Sequence, residues 1–116
     1  MTDPFFESEI VADSLQDIVA LQTEVMIFAE YGQFASIEDQ KNNLKVLRML
    51  LAKQKNMFFR CLLSDAPSAK ELAKDIIDHF KTMGYDIPEN PMDLFEEMAI
   101  GIDQIEQDIN EYEEYQ

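Results

Sequence analysis

The sequence predicts an all-α fold: one domain over residues 1–116, with three long or medium helices and one short helix arranged as an antiparallel helical hairpin or bundle. Three observations predict it. Only 3 Gly and 4 Pro occur in 116 residues, so few positions break a helix. Apolar residues make up 47% of the chain and recur at intervals of three and four, not two. Charge is sorted into blocks that suit neighbouring helices. Residues 1–40 carry nine acids and no Lys or Arg, residues 41–81 carry all nine bases, and residues 82–116 carry eleven acids and no base, for a net charge of −15. A chain of this length buries roughly two thirds of its unfolded surface, enough for a true core.

The first helix is predicted over residues 8–31. Ser8 and Glu9 follow Phe5 and Phe6, whose rings fold back over the first turn as a staple does. Ile10, Val11, Leu15, Ile18, Leu21, Val25, Met26, Phe28 and Ala29 share about half of the helical wheel, opposite Asp13, Asp17, Glu24 and Glu30. Gly32 stands where a C-terminal cap is expected. Ser36-Ile37-Glu38-Asp39 then reads as an N-cap with acids in the first turn. So short a link folds the first two helices into an antiparallel hairpin.

The second helix, predicted over residues 37–63, holds six of the nine bases and no acid beyond Asp39. Leu44, Val46, Leu47, Leu50, Leu51, Met57, Phe58, Cys61 and Leu62 fill one broad face, with Leu47 expected to be essential to the core. Lys41, Lys45, Arg48 and Lys55 line one flank, Lys53 and Arg60 the other. Bases interleaved with Phe59 suit a nucleic-acid surface. With 24 acids against nine bases, the favoured reading is that they meet the acids of the first and last helices within the fold.

Ser64 to Ser68, with Pro67, breaks the pattern, and Ser68-Ala69-Lys70-Glu71 reads as a capping box opening the short third helix. Leu72, Ala73, Ile76, Ile77, Phe80 and Met83 form its inner face, and Gly84 follows its end. Asn90-Pro91 gives the next cap and first helical position. The last helix sets Phe95, Met98, Ile102, Ile105, Ile109 and Tyr112 at spacings of 3, 4, 3, 4 and 3, a heptad seam flanked by carboxylates. Residues 110–116 are expected to fray. The seam outruns the short third helix, and the first helix already has the second to pack on. Part of the seam is therefore expected to stay uncovered. Phe5, Phe6, Ile100, Ile102, Ile105, Ile109 and Tyr112 are the expected contacts with a protein partner or a second copy.

Catalytic and metal chemistry find little support. Asp75 and His79, one turn apart, supply only two ligands on one helix, and a surface pair accounts for them. A di-iron bundle needs two Glu-x-x-His pairs, and there is one His. Cys61, the lone cysteine, reads as a buried structural thiol and agrees with a reducing compartment. No phosphate-binding Gly-rich loop, nucleophile elbow or EF-hand pattern is present. No enzyme activity, cofactor or metal is expected. The net charge argues against direct binding to nucleic acid or to an anionic membrane. Met1 to Pro4 shows no basic leader and no apolar run nears a span of ~18 residues, so a cytoplasmic protein is expected.

Phe5-Phe6-Glu7-Ser8-Glu9-Ile10-Val11 and the later Glu30-Tyr31-Gly32-Gln33-Phe34 resemble a small helical family of cyanobacterial proteins of unknown function. Its members open with a Phe-Phe-x-Ser-Glu-Ile-Val run and carry a Glu-Tyr-Gly-x-Phe turn. The resemblance covers roughly the first 35 residues, with Gln33 where a Lys is common. The acidic tail and the Pro88 turn depart from the pattern, as in a copy carried by a cyanophage. It implies a cytoplasmic setting in a photosynthetic bacterium and no activity, ligand or catalytic residue.

Two functions remain as expectations. One is a non-enzymatic, small acidic helical interaction or regulatory protein that binds a protein partner or forms a homo-oligomer. The other is an acidic mimic of nucleic acid that regulates a DNA-binding or transcription protein.

Overall fold

The computed structural model describes residues 4–115. Residues 1–3 and 116, and with them most of the stretch read for a leader, lie outside the described residues. The elements are α1 (Pro4–Glu7), α2 (Glu9–Tyr31), a 3-10 turn (Gly32–Phe34), α3 (Ile37–Leu63), α4 (Pro67–Thr82) and α5 (Met92–Glu114). No strand occurs among the described residues.

Local chemistry sets most of these boundaries. The Ser8 hydroxyl caps α2 by accepting from the Val11 N–H at 3.4 Å, and Ser36 caps α3 by accepting from the Asp39 N–H at 3.1 Å. Gly32 does not adopt the left-handed conformation; its φ is −83°. Its missing side chain instead makes room for the Phe28 ring, whose carbons lie 2.9–3.0 Å from where a Cβ would stand. The α4 start corrects the capping-box reading at Ser68. Ala66 is the cap and Pro67 the first residue, because proline has no N–H to leave unsatisfied there and its φ already suits a helix. At the α5 start Pro91 takes the cap position one residue beyond the expected Asn90, whose side-chain oxygen accepts from the Met92 N–H at 3.1 Å. That helix continues to Glu114, so residues 110–114 are helical where fraying was expected.

The end of α4 is a Schellman turn. Gly84 has φ +95°, the Tyr85 N–H donates to the Phe80 carbonyl at 3.1 Å, and the Gly84 N–H donates to that of Lys81 at 3.0 Å. The Tyr85 ring packs edge-on to Phe80 at 6.2 Å, the apolar contact this motif carries. Nothing lies within 4 Å of a Cβ added at Gly84, so Gly84→Ala should show the backbone strain alone. We expect a loss of about 1–2 kcal/mol, read as a lower thermal midpoint. An unchanged midpoint would mean that the turn relaxes freely.

Helix α3 is the centre of the molecule. Lys53 meets Asp17 of α2 at 3.0 Å on one flank, while Arg48 meets Asp103 at 2.6 Å and Glu106 at 3.1 Å of α5 on the other. Lys41 holds Glu113 at 2.6 Å further along. These pairs fix α2 and α5 antiparallel to α3 on opposite sides, and α2 and α5 make no sustained contact with each other. The result is a layer of three helices. Helix α4 crosses one side of it, from a cluster with Phe5, Val11, Met57, Cys61 and Ala69 to a second with Phe58, Phe80, Leu94 and Phe95. The shape is long, 60 × 29 × 21 Å, because only the C-terminal part of α3 is covered on both flanks and by α4.

Part of the seam, Ile105 and Tyr112, stays exposed as expected, while the rest finds cover. The seam packs on α3, the predicted second helix, whose apolar face is broad enough to take α2 and α5 together. Phe95 and Ile102 are buried and Met98 and Ile109 half-buried.

Candidate interaction surfaces

The two clusters hold most of the buried apolar side chains, with Leu44 and Ile102 buried beside them, so candidate function lies in what stays outside. Of the seven expected contact residues, Phe5 and Ile102 belong to the core and cannot reach a partner without unfolding it. Phe5 is held edge-on by Phe6 at 5.3 Å and sits against the α2–α3–α4 cluster. Ile109 is half-buried. Phe6, Ile100, Ile105 and Tyr112 are exposed, Ile100 at 66% and Tyr112 at 59%, but they do not form one patch. Ile105 and Tyr112 edge the seam, and Ile100 stands among acids on the outer side of α5.

A further exposed apolar surface was not among the expected contacts. It runs along the side of α3 away from α4. At the N-terminal end of α3, a groove of about 540 Å³ lies between α2, the 3-10 turn and α3, lined by Ile27, Tyr31 and Phe34 with Glu24 and Asp39 at its rim. Phe34 is 89% exposed. At the C-terminal end, a second groove of about 500 Å³ is lined by Lys53, Asn56, Phe59, Arg60 and Leu63. Met49 lies between them, 53% exposed. The signal available in the sequence was the pair of bases, Lys45 and Arg60, that border α3's polar arc together with Met49 and Phe59.

The bases of α3 divide by partner. Lys41, Arg48 and Lys53 meet acids of α5 and α2 within the fold, and the two carboxylates on Arg48 hold its guanidinium above its ordinary pKa. Lys45, Lys55 and Arg60 form no ion pair among the described residues. The paired ones are all partly exposed, so each contributes roughly 0.2–1 kcal/mol and selects register more than stability.

No centre of chemistry emerges beside these surfaces. No group of three or more His, Cys, Asp or Glu side chains able to hold a metal occurs among the described residues. Cys61 is buried against Met57 and the α2 face, and burial pushes its thiol pKa up. Native protein should therefore react with iodoacetamide far more slowly than urea-unfolded protein. Equal rates would place the thiol at the surface. Among the described residues no helix is long and apolar enough to cross a membrane. No protein family, curated protein or solved structure matches this chain.

Proposed function

We propose that this chain is a non-enzymatic, acidic helical interaction protein that acts through self-association, as a homo-oligomer in a cytoplasmic setting. One observation carries the reading: large apolar side chains of the central helix, Met49, Phe59 and Leu63, stay exposed, with Phe34 exposed in the turn before it, while two apolar clusters form inside. Exposed apolar surface gathered on one side is a usual mark of protein contact. The lone, buried thiol agrees with a reducing compartment. The resemblance to a cyanobacterial family of unknown function belongs to the same proposal and adds a photosynthetic host or its virus.

Light scattering at physiological salt tests it. The expected mass is about twice the 13.5 kDa of one chain at micromolar concentration. A single-chain mass across the range to hundreds of micromolar would end the reading.

A second reading has its own observation. The outer side of α5 exposes Glu96, Glu97, Asp108, Glu111 and Glu114, none of them in an ion pair among the described residues. Carboxylates so spaced offer a basic protein the charge of a phosphate backbone. A mimic of nucleic acid would lose its partner steeply as ionic strength rises; an apolar self-contact would not.

A further inference from the structure

We propose that two copies of this chain pair through the outer sides of their α3 helices, antiparallel about a two-fold axis beside Met49. The inference rests on the self-association reading and assigns its contact.

Electrostatics narrows the choice of surface. Each chain carries −15, so two copies repel wherever acids meet acids. The outer side of α3 is where bases without an intramolecular ion pair, Lys45 and Arg60, stand among exposed apolar residues. Two copies meeting here bring bases, not only acids, to the contact.

The surface is also self-complementary, as a two-fold contact requires. In an antiparallel pair centred on Met49, a residue a given number of places before it meets the residue the same number after it in the partner. Asn42 then faces Asn56, and Glu38 faces Arg60; all four are exposed. The two grooves exchange in the same way. Asn42 and Asp39 belong to the acid-rimmed groove, Asn56 and Arg60 to the basic one, so each end meets its opposite in the second copy. Phe34, 89% exposed, and Leu63, 72% exposed, lie at these two ends and cover one another. Lys45 comes opposite Lys53, but Lys53 is already neutralised by Asp17 at 3.0 Å. Along this side of α3, Glu38, Asn42, Lys45, Met49, Asn56 and Arg60 are all exposed.

Charge reversal tests the contact. Arg60→Glu puts Glu38 against a glutamate twice per dimer, and the dissociation constant should rise on the order of tenfold. Glu38→Lys should do the same. The double variant Glu38→Lys with Arg60→Glu restores both pairs with exchanged signs and should return most of the affinity. Met49→Glu sets two like charges beside the axis and should weaken pairing at least as much. All three positions are exposed, and circular dichroism checks that each variant is folded. A dimer whose affinity ignores both Arg60→Glu and Met49→Glu would overturn this contact while leaving self-association standing. Equal weakening in the single and double charge variants would also overturn it, because the pairing of Glu38 with Arg60 would be absent. A monomeric parent chain would remove the self-association reading itself.

Discussion

Phe95→Ala should lower stability by about 3–5 kcal/mol, a large share of the ~5–15 kcal/mol available to a domain. Phe95 is 1% exposed and joins three helices: its ring lies 5.7 Å from Phe58 of α3 and 5.7 Å from Phe80 of α4, the latter edge-on. Removing it leaves a ring-sized hole among Phe58, Phe80 and Leu94 and forfeits both aromatic contacts. Phe59→Ala is the control, since Phe59 is half exposed and outside both clusters. It should change stability by less than ~1 kcal/mol. Urea unfolding followed by circular dichroism measures both. A Phe95→Ala midpoint close to the parent's would show that the three rings are not a core.

Leu44→Asp should leave the chain largely unfolded. Leu44 is 3% exposed on the α5 side of α3, between Lys41 and Arg48, both of which are already committed to acids of α5. A new carboxylate there is buried without a partner, at a cost of several kcal/mol, and lies near the carboxylates of Glu106 and Glu113. Leu47, the position singled out from the apolar pattern, is only half-buried. Its side chain points between α2 and α5 on the side that α4 leaves partly open, so Leu47→Asp should cost distinctly less. A cooperative melt of Leu44→Asp near the parent temperature would place Leu44 outside the α3–α5 contact.

The sequence read some features well because they depend on neighbouring residues only. Ser8 and Ser36 cap helices because a hydroxyl reaches an N–H three residues on, whatever the rest of the chain does. The failure at Ser68 was of the same local kind: Pro67 competes for the helix start and wins, and both residues were visible. The extension of α5 to Glu114 was less legible, because Lys41, more than seventy residues away, holds Glu113.

The candidate surface was harder still. An exposed apolar residue is recognised only when its neighbours are known, and the 3-10 turn that lifts Phe34 outward has no periodic signal. Ile102 and Phe5 looked like contact residues for the converse reason: nothing along the chain says that α3 and α4 cover them.

By itself the sequence determined the all-helical class, the positions of three long helices and one shorter helix to within a few residues, and the sorting of charge that sets acidic helices around a basic one. Those features follow from spacing and from side chains reaching their own backbone. The bases on both flanks of α3 already pointed to α2 and α5 as its neighbours, and only the tertiary structure decided how its apolar arc is divided between them. An apolar arc covering about half of a helix is wide enough for either one neighbour or two, and periodicity fixes its width without fixing how many helices share it. Which bases stay unpaired, and which side of α3 faces outward, followed from that choice.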